Sequence, residues 1–247
     1  MTTRAITFYG STVGKKVAMA VSGLIGFGFV IGHMTGHLLT FKGATAYNNY
    51  AHFLQSLGGG LWVARLTLLA AVAVHIHCAF SLWSRNNQAR PRAYYQRKDL
   101  ATNYAALTMR YGGVLLLLFL TYHIAHFTMG KTEPIDGVPF DPDNAYNNLV
   151  FSFQKPALAG FYIVCMCALG MHLYHGIWSL TQSLGLDHPK YNRLRQLVAM
   201  GGSALIVIGF VVVPISVQTG VLQPDTGATA ALQGAPQHDA DAARLGH

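Results

Sequence analysis

An all-α polytopic membrane protein with five transmembrane helices is predicted by three observations. The 247 residues are 52% hydrophobic and only 11% charged, less than half the charged share of about 25% in soluble domains. Five apolar runs are long enough to cross a hydrocarbon core of about 30 Å. Four of those runs carry paired histidines. The net charge of +8 raises a nucleic-acid reading, but the basic residues sit between the apolar runs and not along a stripe, so no nucleic-acid partner is expected.

In chain order, residues 1–16 form a short polar N-terminal segment with Arg4, Lys15 and Lys16, read as a cytoplasmic flank without a cleavable signal. Run I, 17–41, is rich in small residues (Gly23, Gly26, Gly28, Gly32, Gly36) that permit close approach. The connection 42–60, with AYNNYAHFLQSLGGG, reads as a short surface helix. Run II covers 61–84 and is followed by a basic segment with Arg85, Arg90, Arg92, Arg97, Lys98 and Arg110 against Asp99. Run III covers 111–129. The connection 130–155 holds Glu133, Asp136, Asp141 and Asp143. Run IV, 156–183, opens on a proline, where the missing N–H costs nothing. Run V covers 197–217. These runs form one domain, 17–217, and residues 218–247 read as a disordered tail of Ala, Gly, Pro and Asp. Cys78, Cys165 and Cys167 offer neither a disulfide nor a zinc framework and read as small packing residues.

Charge asymmetry sets the expected orientation. Placing the N-terminus and the II–III and IV–V connections inside collects twelve Lys and Arg there against five elsewhere. The expected topology is therefore N-terminus inside and C-terminus outside.

Eight of the twelve histidines lie in the apolar runs: His33 and His37, His75 and His77, His123 and His126, His172 and His175. Imidazole in hydrocarbon is expensive and marks a function facing the bundle interior. At about 1.5 Å per residue, His33 lies roughly 24 Å and His123 roughly 18 Å from the inner face, so both fall in the outer half. Runs II and IV travel inward and bring His75 and His172 together in the inner half. Four antiparallel helices thus offer two histidine pairs at two depths, which suits axial ligation of two stacked b-type haems in a four-helix bundle. No C-x-x-C-H occurs, so covalent c-type attachment is not expected. Spacing alone does not choose between i+3 and i+4 partners, which leaves His37, His126 and His175 as second ligands or as propionate or quinone partners, whereas His77 is rotated away from His75. A membrane di-iron oxygenase is the competing reading of H-x-x-x-H and H-x-x-H, but it needs all boxes to converge on one site.

The stretches FVIGHMTGHLL, AYNNYAHFLQSL, AVHIHCAFSLW, YGGVLLLLFLTYHIAH and PALAGFYIVCMCALGMHLYHGIWSLTQSLG resemble the di-haem cytochrome b membrane anchor of bacterial succinate:quinone oxidoreductases, the succinate dehydrogenase and fumarate reductase family. The resemblance covers about 15–215. It implies His33 and His123 as iron ligands of an outer haem and His75 and His172 of an inner one. Where some relatives carry a Gln-Ser or His-Ser pair that meets a propionate, this chain has Met19 and Ala20, so Ser22, Arg85 and Arg110 become the propionate candidates. His37, Tyr47, His52 and Arg65 are the candidate quinone residues near the outer layer.

The resemblance further implies an electron-transfer subunit of a membrane enzyme. Dicarboxylate chemistry would occur on FAD in a flavoprotein partner, and an iron-sulfur partner would dock on the cytoplasmic face, partly on the basic II–III loop. Electrons would pass through two haem b groups to menaquinone, with fumarate reduction as the reverse direction. The expected location is the bacterial cytoplasmic membrane, in contact with lipid, and a higher oligomer of the heterotrimer is compatible with it.

Overall fold

The computed structural model describes residues 8–89, 104–131, 140–186 and 188–225, with the backbone alone for 104–108. Seven α-helices and no strand occur among the described residues: α1 Thr12–His37, α2 Ala44–Ser56, α3 Gly59–Gln88, α4 Tyr104–His123, α5 Ala145–Gln154, α6 Pro156–Ser183 and α7 Asn192–Gln218. Five helical segments are long and apolar enough to cross a membrane: Thr12–Lys42, Gly59–Gln88, Met109–Thr128, Pro156–Ser183 and Pro189–Gln218. Their outward faces show what solvent they suit. Leu69, Leu118, Leu205 and Ile208 are each 64–65% exposed in mid-helix, an apolar surface that a soluble monomer rarely carries and that lipid tolerates.

Local chemistry sets the helix ends. Ser11 caps α1 by accepting a hydrogen bond from the Gly14 N–H at 2.9 Å. The helix tightens through Leu38–Lys42 and stops at Gly43, whose φ of 94° favours glycine. Asn144 caps α5 in the same manner as Ser11, accepting from the Asn147 N–H at 3.0 Å. Pro156 starts α6 directly after the extended Lys155, so α5 and α6 meet at a break of one residue. Beyond His123, α4 widens into a π-turn over Ile124–Thr128, a local expansion that often accompanies function.

Packing is uneven around the bundle. The closest pairs are α6 with α7, α1 with α3 and α4 with α6, and α1 bridges more loosely to α6 and α7. The bundle is thus an α1–α3 pair laid against an α4–α6–α7 group, with a seam between them. Val207 enters the space that a side chain at position 170 would fill, which lets α6 and α7 approach.

The main core lies at the end of the bundle away from the N-terminus. There Tyr47, Tyr146, Leu149, Val150, Phe153, Tyr162, Val213, Val217 and Leu222 pack together. A smaller cluster of Met34, Leu173 and Ile206 sits deeper. The short helix expected in 42–60 is α2. Helix α5 is a finding that the acidic connection did not announce. Residues 219–225, expected within a disordered tail, also fold onto this core: Leu222 is buried, the Tyr146 hydroxyl donates to the Gln223 carbonyl at 3.1 Å, and the Asp225 N–H donates to Asn147 Oδ1 at 2.8 Å. The remainder of that tail and most of the basic II–III connection lie outside the described residues.

Candidate functional site

The seam carries the histidines at two levels. Toward the N-terminal end, the rings of His75 on α3 and His172 on α6 face each other with centroids 6.1 Å apart. Toward the other end, His33 on α1 and His123 on α4 stand with centroids 5.8 Å apart. Helix α1 contacts the first level through Met19 and Ser22 and the second through His33. The step of eleven positions from Ser22 to His33 separates the levels by roughly 17 Å.

At the first level the His75 Nδ1–H donates to the Met19 carbonyl at 3.1 Å, and Ser22 Oγ lies 3.4 Å from the same nitrogen. A carbonyl on Nδ1 fixes the tautomer and presents the Nε2 lone pair to the seam, the usual support for a metal-binding imidazole. Ser22 spends its own proton on the Ala18 and Met19 carbonyls. Among the described residues His172 Nδ1 is buried with no hydrogen-bond partner, so packing orients this ring.

The second level gathers three imidazoles. His33 Nε2 lies 3.2 Å from His37 Nε2, and His37 Nδ1 lies 2.9 Å from the Tyr47 hydroxyl. His33 also stacks on Phe29 at 5.2 Å, and Phe210 flanks His33 and His37. Among the described residues His123 Nδ1 is buried without a partner; its ring is walled by Phe119, Phe127 and Tyr162 at 5.7, 5.7 and 6.1 Å.

His126 behaves differently from His123. It is 2% exposed, with Nδ1 3.0 Å from the Tyr162 hydroxyl and Nε2 3.0 Å from Ser152 Oγ. Ser152 donates its only proton to the Asn148 carbonyl at 2.6 Å, so it accepts from His126 Nε2–H, and Nδ1 accepts from Tyr162. Both nitrogens are therefore spent inside the protein, and α4 offers His123 alone to the seam.

The remaining sequence candidates scatter. Arg85 is exposed and donates to the Gly10 carbonyl at 3.0 Å. Exposed Arg110 lies 5.3 Å over the Trp83 ring. Tyr47 joins His37, but His52 is exposed on α2, and exposed Arg65 lies 5.3 Å over Trp62, so neither shares that contact. His77 is exposed and stacks with Tyr9 at 6.3 Å. The facing imidazoles stand at two separate levels, whereas the boxes of a di-iron oxygenase converge on one site. Sequence reasoning passed over Tyr162 and Ser152, whose pairing with His126 spans 36 and 26 residues.

The facing pairs pass a simple test for axial ligation. Two imidazoles on one metal, at about 2 Å per metal–nitrogen bond plus about 1.2 Å from nitrogen to ring centre, have centroids roughly 6.4 Å apart. The observed 5.8 and 6.1 Å are close to that. His75, His172 and His123 keep Nε2 out of every hydrogen bond among the described residues, and only at His33 is that nitrogen shared, with His37.

Five helices long and apolar enough to cross a membrane, with facing imidazoles at two levels, define an all-helical polytopic membrane protein. The chain is similar to the succinate dehydrogenase cytochrome b558 subunit of Bacillus subtilis (strain 168), 27% identical over 177 residues, which is 70% of this chain and 80% of that protein. This likeness supports the succinate dehydrogenase cytochrome b family that the histidine motifs resemble. No family model matches the chain, and no solved structure matches it.

Proposed function

We propose that the chain is the membrane anchor and electron-transfer subunit of a succinate dehydrogenase, holding two b-type haems through His75 and His172 at the inner level and His33 and His123 at the outer. The observation that carries this reading is the pair of imidazole couples facing across one seam. When bound, the haems supply one-electron transfer between the two faces of the membrane. In this reading the N-terminus lies inside, in line with the charge bias, and flavoprotein and iron-sulfur partners dock on that face; the similar protein is by name a subunit of a succinate dehydrogenase.

The chain's own residues contribute position and protons. The Met19 carbonyl holds His75 with Nε2 toward the seam. The aromatic walls of His123 fix its ring without a hydrogen bond. Quinone reduction takes up two protons with two electrons, so it needs a hydrogen-bonding group near the last carrier. Tyr47 and His37 supply one at the outer level. Burial pushes the Tyr47 phenol up, with Tyr50 adding to the shift, so Tyr47 stays protonated and donates. Menaquinone is the quinone this reading assigns.

The test is haem content. The chain purified in detergent with its partners gives a pyridine haemochrome of two haem b per polypeptide; none, or one, overturns the two-level reading. Tyr47→Phe keeps both haems and lowers quinone-reductase kcat by on the order of tenfold or more. An unchanged kcat removes Tyr47 and His37 from the quinone assignment.

A further inference from the structure

Lys15, in the first turn of α1, is 5% exposed, whereas its neighbour Lys16 is exposed. The turn Phe8–Gly10 closes over it. The Lys15 ammonium lies 4.6 Å from the centre of the Tyr9 ring, and the Tyr9 hydroxyl reaches the buried Cys78 of α3 at 3.8 Å. Among the described residues no carboxylate pairs with this lysine. The contact with Tyr9 stabilises it by about 0.5–2 kcal/mol, but an aromatic face does not neutralise the charge. A lysine buried with no anion among the described residues is rare.

Two helices place Lys15 relative to the inner histidine level. On α1, positions 15, 19 and 22 follow i, i+4, i+7 and so share a stripe, and Met19 and Ser22 are the residues that touch His75 Nδ1. On α3, Cys78 lies one turn beyond His75 toward the same end. Lys15 therefore stands about one turn, roughly 6 Å, on the N-terminal side of the inner level. Two other cations near this end are turned elsewhere, Arg85 to the Gly10 carbonyl and Arg110 to Trp83.

We propose that Lys15 is the cation that binds a carboxylate of the inner haem. The assignment rests on the two-haem reading. A lipid phosphate offers similar anionic chemistry, and the exposed Lys16 is the residue placed to meet it.

The experiment is a redox titration of haem absorbance in the assembled membrane complex. Removing a positive charge beside a haem favours its ferric state, so Lys15→Met lowers one of the two midpoints and leaves the other in place. Lys15→Arg retains the wild-type value, and Lys16→Met moves neither. Lys15→Gln, which keeps a hydrogen-bond donor but no charge, gives the same single downward shift should the Met variant fail to accumulate. Two unmoved midpoints in the neutral variants overturn the assignment and leave the two-haem reading standing. Equal shifts of both haems by Lys15→Met and Lys16→Met also overturn it, in favour of lipid or surface charge. A wild-type chain without haem overturns both.

Discussion

On the proposed two-haem reading, replacing His172 by alanine is expected to lower the haem content from two per chain to one. His172 projects from α6 into the seam, and its ring meets only one other imidazole across it, His75. His75 and His172 would together hold an iron at that level, so without His172 one of the two protein ligands would be missing. The neighbouring His175 is three residues on and faces nearly the same way, which makes it the candidate for rescue among the described residues. His172→Ala with His175→Ala is therefore included, and the double variant also ends at one haem. The helix itself survives the change, because α6 is held by Leu169 and Leu173 against Met34 and Ile206.

His75→Ala gives the same loss, and His75→Ala with His172→Ala loses no more than either alone, since both act on one group. His123→Ala removes the other haem, so a variant lacking His75 and His123 carries none. The pyridine haemochrome counts each case. Two haems remaining in His172→Ala with His175→Ala would dissolve the inner site.

The spans were legible because lipid is a simple solvent. An apolar run of sufficient length needs no partner to be recognised, and α6 begins and ends where Pro156 and the end of the run place it. Depth arithmetic on the same runs couples the rings that stand in contact, since a straight helix converts residue number to height. What escaped was whatever depends on contacts distant in sequence. Helix α5 is short and lies in a connection rich in Asp and Asn; its apolar residues Leu149, Val150 and Phe153 are explained only by the α6 and α7 surface they bury against. The choice among i, i+3 and i+4 histidines was equally hidden, because such residues share a helix face and differ only in what faces them. Tyr47 marks His37 and Tyr162 marks His126, and neither partner is announced by spacing. Lys15 read as one more flanking charge until the turn of residues 8–10 was seen to cover it.

His126→Leu should destabilise the folded chain by about 2–4 kcal/mol. The side chain is enclosed by α4, α5 and α6, and the two hydrogen bonds it makes are directional. Leucine cannot accept from Tyr162, so a buried phenol is left without an acceptor, at a cost of about 1–3 kcal/mol. Ser152 keeps its bond to the Asn148 carbonyl but loses the proton it accepted. The change also removes the ring on which Phe127 stacks at 4.1 Å.

At about 2–4 °C per kcal/mol for a chain of this size, a melting point lower by roughly 5–10 °C is expected in thermal unfolding of the purified complex. His126→Gln retains a donor and an acceptor and recovers much of the loss. Tyr162→Phe removes the partner instead and leaves Nδ1 of His126 orphaned, so it falls between the two. The three effects are non-additive because they break one network. Phe127 and Tyr162 also wall His123, which has no hydrogen bond of its own to orient it, so the spectrum of the outer haem alone should broaden in His126→Leu. A variant that melts like the wild type would show that His126 is dispensable and that α4 is held by its apolar face.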